Sequence, residues 1–300
     1  MSHSESVYGQ YELLSLCSSG LGDKSSEQLS LLVKQAMSEG LHGISFSPYI
    51  SGQGPGAILG GQQIRERLEL VAPYTSAIRT FSCTEGHELI PGIAREHGLG
   101  TMVGIWLDDD LENNEAELLQ AVEVARRGEA DILAVGNEVL LRGDLDEDTL
   151  INYIERAREM VPGIEIGYVD AYFKFVDHPR VTQACDVILA NCYPFWEGCS
   201  ETYALLYLQE MYRRVSAVAG GRRVIISETG WPDEGTAVGD AQPSRNAAMR
   251  YFLKTWLWTR EENIDLFYFS SFDESWKVDK EGDVGAFWGL LDSRGVPKFY

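Results

Sequence analysis

Short apolar runs rich in β-branched and aromatic residues recur along the whole chain, and segments with helical spacing of apolar residues separate them. The runs predicted as strands are 43–48, 77–82, 100–107, 130–138, 164–170, 186–193, 223–228 and 264–273. Segments such as GQQIRERLELVA, ELLQAVEVARRG, EDTLINYIERAREM and NAAMRYFLKTWLW have the period of amphipathic helices. Consecutive strands begin roughly 20–40 residues apart, which is the spacing of β/α units.

This alternation predicts an α/β fold, and eight such units in 300 residues predict a closed (β/α)₈ TIM barrel. An open doubly wound sheet is the alternative, although that architecture does not usually need eight strands. The sequence contains no linker, internal repeat or low-complexity segment. We therefore expect residues 1–300 to form a single catalytic domain.

The two ends of the predicted barrel differ from a regular β/α repeat. Before the first strand, SSEQLSLLVKQAMSEG predicts a helix that Ser25 or Ser26 caps and Gly40 ends. After the eighth strand, VGAFWGLLDSRGVPKFY is too short and too broken to form a closing helix. We expect residues 1–42 to be an N-terminal extension whose helix packs on the barrel beside the eighth strand.

The charge of the chain narrows the choice of partners. The formal net charge of -21 argues against nucleic acid and against anionic membrane surfaces, which both require lysine and arginine. A neutral substrate is compatible with this charge. The sequence begins without the pattern of a signal peptide and has no apolar run of about 18 residues. We expect a monomer, cytoplasmic as the chain stands, without a membrane anchor.

Cysteine, histidine and glycine patterns give no cofactor or metal site. The five cysteines are an odd number and predict buried or reduced thiols rather than a disulfide framework. The glycine-rich stretch GQGPGAILGG lacks the Gly-Lys-Ser/Thr of a phosphate loop, and no His-Glu-x-x-His is present. A Gly-x-Ser-x-Gly elbow is also missing. We therefore expect no cofactor, no metal and no serine-hydrolase triad.

Two glutamates follow predicted strands directly, where a barrel of this type holds its active site. Glu138 ends the run AVGNE, and Glu228 ends the run IISE. Burial of a carboxylate is costly without partners, so each residue could simply cap a helix or pair with an arginine. Two carboxylates at strand ends of one barrel favour chemistry instead, because such a pair is the apparatus of glycoside hydrolysis.

The motifs AVGNEV and SETGWP resemble those that carry the acid/base and the nucleophile in glycoside hydrolase family 17, the β-1,3-glucanases and β-1,3-glucanosyltransferases. The stretches GISFSPYISGQGP, IRTFS, YPFWEG, SFDESWK and VGAFWGLLD extend the resemblance from about Gly43 to Tyr300 and favour the compact microbial branch. The resemblance implies retaining cleavage of β-1,3-glucan through a covalent glycosyl-enzyme. Glu138 would be the acid/base and Glu228 the nucleophile, with their carboxyl groups about 5–5.5 Å apart.

The resemblance also implies roles for residues around the nucleophile. Asn137 would bond the 2-hydroxyl of the sugar that is cleaved. Arg79 would keep the nucleophile ionised, since an adjacent positive charge favours a carboxylate. Tyr193 would donate a hydrogen bond to the nucleophile, and Tyr49 would line the site. Packing at the rim of the barrel is the structural alternative for Arg79 and Tyr193.

Further substrate contacts are predicted at the edges of the cleft. Glu274 and Lys277, in FDESWK, match polar residues near the cleaved sugar. Sugar rings stack on aromatic faces, so we expect Trp196 and Tyr172, in predicted loops, to be platforms beyond the cleaved bond. Asp170 is a candidate partner for a sugar hydroxyl. Many bacterial relatives have an acidic-Pro-Trp run at positions 170–172, from which this chain departs.

Three functions share these residues. The first is hydrolysis of β-1,3-glucan, and the second is glucanosyl transfer, in which a sugar replaces water as acceptor at the same site. The third and most remote is a non-catalytic glucan-binding barrel, which would have no need to keep both carboxylates. The lengths of the products formed from laminari-oligosaccharides separate the first two functions.

Overall fold

The computed structural model describes residues 20–300, and its eight parallel strands close into one barrel in sequence order. The strands are β1 Gly43–Ser45, β2 Ala77–Arg79, β3 Gly100–Ile105, β4 Ile132–Asn137, β5 Glu165–Ala171, β6 Val187–Asn191, β7 Val224–Thr229 and β8 Leu266–Tyr268. Pairing of β1 with both β2 and β8 completes the closure. The predicted (β/α)₈ barrel is therefore confirmed, and the open sheet is excluded.

Helices connect the strands around the outside of the barrel. They are α1 Ser26–Glu39, α2 Gly61–Val71, α3 Ile90–Glu96, α4 Leu111–Arg126, α5 Val139–Arg142, α6 Glu147–Met160, α7 Tyr172–Asp177, α8 Pro179–Ala184, α9 Glu201–Val218, α10 Arg245–Glu261 and α11 Val278–Glu281. Short 3₁₀ turns occupy Leu21–Asp23, Ala72–Tyr74, His87–Leu89, Ser275–Lys277 and Asp283–Ala286. Within residues 20–300, no helix has the length and apolarity needed to cross a membrane.

Helix α1 begins and ends where its sequence signals place it. Ser25 Oγ accepts a hydrogen bond from the backbone N–H of Gln28, whose side chain accepts from the backbone N–H of Ser25 in return. This capping box satisfies two of the N–H groups that a helix leaves unpaired. The helix packs against α10, where Trp256 Nε1 donates to the carbonyl of Gly40 over 3.1 Å. The part of the predicted extension before Gly20 lies outside the described residues.

The barrel interior is apolar along most of its length and becomes polar at the carboxyl ends of the strands. Inward-facing residues of the strands form one buried apolar cluster, namely Met102, Ile132, Ala134, Val169, Val187, Leu189, Ile225 and Phe267. Because side chains alternate along a strand, the next inward position on β6 is Asn191 and the next on β7 is Ser227. These residues are buried at the carboxyl ends of the strands, where the inward layer becomes polar.

The cysteines of the described chain are free thiols, as the odd count and wide spacing predict. Cys83, Cys185 and Cys192 are buried, and burial raises the pKa of each thiol. A raised thiol pKa makes the reactive thiolate scarce. These residues therefore act as small core side chains.

Candidate active site

An irregularity in β4 brings two consecutive side chains to the mouth of the barrel. Consecutive residues of a regular strand point to opposite faces of the sheet. Here the register with β5 shifts between Ala134 and Asn137, and Gly136 has a φ of 83°. Glu138 follows in the left-handed region with a φ of 55°. The shifted backbone lets both Asn137 and Glu138 take part in the same polar cluster.

Glu228, on β7, is buried and holds a hydrogen-bond donor at each carboxylate oxygen. Arg79 Nη1 donates to Oε1 over 2.5 Å, and Tyr193 Oη donates to Oε2 over 2.6 Å. Burial and the charge of Glu228 raise the pKa of the Tyr193 hydroxyl, which therefore stays protonated as a donor. One of the two donors is a guanidinium, so a fixed positive charge lies against the Glu228 carboxyl group.

Arg79 ties three strand ends together. It is the last residue of β2 and is only 1% exposed. Its Nη2 donates to Asn137 Oδ1 over 2.7 Å, while its Nη1 bonds Glu228. The guanidinium lies over the ring of Phe81, 4.4 Å from the ring centroid. A planar guanidinium with several fixed donors suits such a bridge better than a lysine would.

Glu138 has the opposite electrostatic environment. Burial, and then the negative charge of Glu228, raise the pKa of Glu138 to about 7. Asn191 Nδ2 donates to Glu138 Oε1 over 2.8 Å, which works in the other direction and lowers that pKa. Below about pH 7 Glu138 therefore holds a proton. Its neighbour Glu228 instead accepts hydrogen bonds from Arg79 and Tyr193.

Asn191 and Ser227 belong to the site but are absent from the predicted set. Ser227 Oγ donates to Asn191 Oδ1 over 2.8 Å, which leaves the Asn191 amide nitrogen directed at Glu138. Both residues occupy inward positions near the carboxyl ends of β6 and β7. The strand-end rule that identifies Glu138 and Glu228 would have identified them, had it been applied to neutral polar residues.

The predicted pair Glu274 and Lys277 forms a buried ion pair, with 2.6 Å between Glu274 Oε2 and Lys277 Nζ. Trp276 Nε1 donates to the other oxygen of Glu274 over 3.0 Å, and Lys277 Nζ lies 4.1 Å from the ring centroid of Phe269. Tyr49 packs edge-on against Trp276, with 6.0 Å between ring centroids. Tyr49, Glu274 and Trp276 together line a cavity of about 360 Å³.

A further carboxylate, Glu281, lies near this group and is not in the predicted set. Burial raises its pKa to about 7, the charge of Glu228 adds to that rise, and Lys277 opposes it. Glu281 ends the four-residue helix α11, in a segment after β8. A search at strand ends misses it because no apolar run precedes it.

Trp196 is the predicted platform that the structure leaves accessible. It follows β6 in a loop and is 39% exposed. Its ring packs edge-on against Phe195 at 5.3 Å and lies tilted at 44° to Trp288 at 5.5 Å. These neighbours fix the orientation of the ring while leaving much of it open to solvent.

Tyr172 does not fit the predicted role of an exposed platform. The prediction placed it in a loop, but it is the first residue of helix α7 and is only 6% exposed. Its ring packs edge-on against Phe173 at 5.4 Å, and the Arg214 guanidinium lies 5.3 Å from the ring centroid. The helix begins immediately after β5 and turns the ring into the packing against α9, so the platform prediction is wrong.

Asp170 also differs from the expectation of a direct sugar contact. The residue has no exposed surface, and its carboxylate accepts hydrogen bonds from Tyr168 Oη and from the backbone N–H of Ala171. Burial raises the pKa of this carboxyl. Tyr168 Oη in turn accepts from the backbone N–H of Leu140 over 2.9 Å. Asp170 is thus linked through Tyr168 to the segment after Glu138.

Sequence comparisons identify the family. A family model described as BtgE/BtgC glycoside hydrolase domain matches residues 43–289. The chain is also 29% identical over 256 residues to a glucan 1,3-beta-glucosidase of Schizosaccharomyces pombe, an alignment that covers 77% of this chain and 78% of the relative. A second relative, a glucan 1,3-beta-glucosidase of Arthroderma benhamiae, is 29% identical over 247 residues, covering 75% of this chain and 80% of that protein.

Solved structures agree with these matches. The glycoside hydrolase family 17 beta-1,3-glucanosyltransferase from Rhizomucor miehei superposes with a TM-score of 0.78 at 29% identity, covering 87% of this chain and 96% of that chain. An active-site mutant of that protein was solved in complex with laminaritriose. An endo-laminarinase from Formosa, with a TM-score of 0.72 at 19% identity, shares the fold. The resemblance to glycoside hydrolase family 17 is confirmed, and the chain belongs to the BtgE/BtgC glycoside hydrolase family.

Proposed function

We propose that the protein cleaves β-1,3-glucan with retention of anomeric configuration, using Glu228 as nucleophile and Glu138 as acid/base. The observation that carries this proposal is the unequal environment of the two carboxyl groups. Glu228 accepts hydrogen bonds from Arg79 and Tyr193. Glu138 accepts a hydrogen bond from the neutral amide of Asn191 and has a pKa of about 7. Two neighbouring carboxyls whose environments differ in this way divide the roles of base and acid between them.

The first step forms a covalent intermediate. The Glu228 carboxylate attacks the anomeric carbon, and the bond from that carbon to the glycosidic oxygen breaks. Glu138 gives its proton to the leaving oxygen, so the departing sugar leaves as a neutral alcohol. Arg79 donates to one oxygen of Glu228 and also to Asn137, so it holds these two side chains in place relative to each other. Glu138 ends this step ionised.

The second step releases the sugar from Glu228. Glu138, now a carboxylate, takes a proton from an incoming hydroxyl group, whose oxygen attacks the same anomeric carbon. The ester bond to Glu228 breaks, and the nucleophile returns to its ionised state. Two inversions at one carbon give net retention. Water as acceptor completes hydrolysis.

Neighbouring residues would position the sugar in both steps. Asn137 uses Oδ1 to accept from Arg79, and we assign its amide N–H groups to the sugar 2-hydroxyl. We assign Tyr49 and the ion pair of Glu274 with Lys277 to the contacts on one side of the cleaved bond. Trp196 is the candidate stacking surface at the exposed rim.

Glucanosyl transfer is the second candidate, and a specific comparison favours it. The relative from Rhizomucor miehei is named a beta-1,3-glucanosyltransferase and aligns over 96% of its length. The chemistry of the first step would be the same for both functions. The difference would lie in the acceptor, which is a sugar hydroxyl in transfer and water in hydrolysis.

Incubation with laminari-oligosaccharides of single lengths tests both candidates. We expect products shorter than the starting chain in either case, and products longer than it only when transfer occurs. The newly formed linkage, identified by NMR, states which hydroxyl served as acceptor. A protein that binds these oligosaccharides without altering their length at any pH would contradict both proposals and favour a non-catalytic barrel.

A further inference from the structure

Glu117 is a buried carboxylate that the proposed chemistry does not use. It lies in the second turn of helix α4 and is 1% exposed. All four of its hydrogen-bond donors are neutral groups. A buried carboxylate is costly even when it is hydrogen-bonded, so this arrangement calls for an explanation in terms of what the residue holds in place.

The four donors come from two loops at the mouth of the barrel. Oε1 accepts from Ser82 Oγ over 2.5 Å and from Thr84 Oγ1 over 2.6 Å. Oε2 accepts from the backbone N–H groups of Cys83, over 2.7 Å, and Trp106, over 3.0 Å. One side chain therefore joins the loop after β2 to the segment after β3.

Asn114 makes a similar attachment one turn earlier on α4. It is fully buried, its Nδ2 donates to the carbonyl of Asp108 over 2.7 Å, and its Oδ1 accepts from the N–H of Asp108 over 3.0 Å. Residues three apart lie on the same face of a helix. The start of α4 thus presents a polar face to the catalytic end of the barrel, while its later buried residues are mainly apolar.

The loop after β2 begins next to Arg79, the last residue of that strand. Phe81 carries the ring over which the Arg79 guanidinium lies, at 4.4 Å. Residues 82–84, which Glu117 holds, follow Phe81 in the chain. A displacement of this loop would move the ring that supports Arg79, and Arg79 makes the 2.5 Å contact with Glu228.

The segment after β3 leads to the backbone before Glu138. The Arg142 guanidinium lies 4.5 Å from the centroid of a Trp106 ring. Arg142 also donates to the carbonyl oxygen of Asn137, and to that of Leu107 over 2.7 Å. The Asn137 carbonyl belongs to the peptide that joins Asn137 to Glu138. Trp106 and Arg142 together therefore hold in place the peptide that precedes Glu138.

We propose that Glu117 is a positioning residue for the reaction, acting through Phe81 and Trp106 on the Arg79–Glu228 pair and on Glu138. The inference rests on the proposed function, because it assigns Glu117 a part in the placement of those two glutamates. Alignment of reacting groups can be worth about 10²-fold in rate for a shift of about 1 Å. A clamp that joins two rim loops is a direct means of keeping that alignment.

Two substitutions separate the clamp from the charge. In Glu117→Gln, the amide oxygen accepts from the two backbone N–H groups, and the NH₂ donates to the Ser82 and Thr84 hydroxyls, which rotate to accept. Glu117→Leu has a comparable volume and accepts nothing, so all four bonds are lost. The matched control is Glu201→Leu, which removes a part-buried carboxylate that bonds Arg250 and Lys254 between α9 and α10.

The experiment measures Tm, kcat, KM and the pH profile of kcat/KM for each variant on a laminari-oligosaccharide. For Glu117→Leu we expect kcat to fall by about 10²-fold, with KM within about threefold of wild type. We expect Glu117→Gln to stay within about threefold in kcat. Glu201→Leu should lower Tm and leave the kcat of the folded protein unchanged.

The pH profile is the readout that a purely structural role would not move. Glu138 is faced by Glu228 on β7, Asn191 on β6, Asp170 on β5 and Arg79 on β2. Burial and the charge of Glu228 raise the pKa of Glu138, and the positive charge of Arg79 lowers it. If Arg79 is displaced in Glu117→Leu, the pKa of Glu138 rises, and the alkaline limb of kcat/KM moves to higher pH.

Several results would overturn the inference. Glu117→Leu with wild-type kcat and an unmoved alkaline limb would assign Glu117 to stability alone, and so would an equal loss of kcat in Glu201→Leu. If Glu117→Leu does not fold, Ser82→Ala combined with Thr84→Val removes both Oε1 donors and must itself lower kcat. If wild type is inactive, the proposed function fails, and a crystal structure of the variant decides the positioning claim through the Arg79–Glu228 distance, which must increase.

Discussion

Arg79 and Glu228 form a buried ion pair across the mouth of the barrel, with 2.5 Å between Nη1 and Oε1 and side-chain exposures of 1% and 8%. The two residues stand 149 positions apart in the chain and meet because both occupy carboxyl ends of strands, on β2 and β7. The pair gives the carboxylate a fixed cation in a site that largely excludes water. A paired cation offsets part of the cost of burying this carboxylate, because an unpaired buried charge is expensive.

Arg79→Met tests this relationship. The positive charge of Arg79 lowers the pKa of Glu138, so its loss should move the alkaline limb of kcat/KM to higher pH. We expect kcat/KM at its optimum to fall by about 10²- to 10³-fold, the range seen when one preorganised charge-stabilising group is removed. Arg95→Met, which removes an exposed ion pair with Asp131, is the control and should keep both the rate and the pH profile. An unmoved alkaline limb in Arg79→Met would contradict the assignment.

The raised pKa of Glu138 predicts an alkaline limit on activity. The first step needs the protonated acid, so kcat/KM should decline above about pH 7, the value to which burial and the charge of Glu228 raise the pKa. Glu228→Gln removes that charge, and the pKa of Glu138 should then fall. Carbon NMR of labelled glutamate would follow the carboxyl titration in the inactive variant. A Glu138 that titrates near its ordinary value in wild type would refute the division of roles.

The same pKa predicts how stability depends on pH. The folded pKa of about 7 lies above the ordinary value of 4.5, so the folded protein binds the Glu138 proton more tightly than the unfolded chain. The contribution of this group to the free energy of unfolding is complete below the ordinary pKa of 4.5 and is lost as the pH rises through about 7. Glu138→Gln should therefore gain stability over wild type between pH 5 and 8, by an amount on the order of 2 kcal/mol. Urea unfolding of both proteins at the two pH values measures this difference.

Asn191→Ala should change the pKa of Glu138 and leave the hydrogen bonds of Glu228 intact. The hydrogen bond from Asn191 lowers the pKa of Glu138, so its loss should raise that pKa and move the alkaline limb of kcat/KM to higher pH. We expect kcat to fall by about tenfold, as for weakened general acid catalysis. Ser227→Ala removes only the partner of Asn191 and should give a smaller shift in the same direction. A shift towards lower pH in Asn191→Ala would show that the bond does not act on Glu138.

External azide distinguishes the two glutamates by the product formed. In Glu228→Ala no glycosyl-enzyme can form, so azide attacks from the face that the nucleophile has vacated and gives an α-glycosyl azide. In Glu138→Ala an activated substrate still forms the intermediate, and azide then releases it as a β-glycosyl azide. Proton NMR of the products assigns the anomers. Exchanged anomers would reverse the roles, and full activity in both variants would remove both residues from the mechanism.

The sequence predicts the barrel well because its strands carry their signals locally. The runs at 132–136 and 187–190 are continuous apolar stretches, typical of strands buried on both faces. Strand length is predicted less well: β1 and β8 pair over three residues each, while their apolar runs continue into the loops. Phe269 and Phe272, beyond β8, are buried against the rim, and an apolar run alone does not state where pairing stops.

The site is predicted best where one residue at a strand end carries the function. Glu138, Glu228 and Arg79 each lie at or next to the end of a strand, and the structure brings all three together. Tyr172 was misplaced because the chain turns into a helix immediately after β5, a tertiary choice that its neighbours on α9 help to stabilise. Glu117 gives no local signal either, since a glutamate on an amphipathic helix normally faces solvent.

Trapping of the glycosyl-enzyme would show directly whether Glu228 is the residue that forms the covalent bond to the sugar. A 2-deoxy-2-fluoro-laminaribioside with a dinitrophenyl leaving group should form the intermediate and react no further. The good leaving group keeps formation of the intermediate fast enough, whereas the fluorine slows its breakdown. We expect a mass increase of one fluorinated disaccharide, located by peptide mapping on Glu228. We also expect that Glu228→Ala shows no increase. An adduct on Glu138, or none at all together with a substrate that is turned over to the inverted α-anomer, would contradict the assignment of Glu228 as nucleophile.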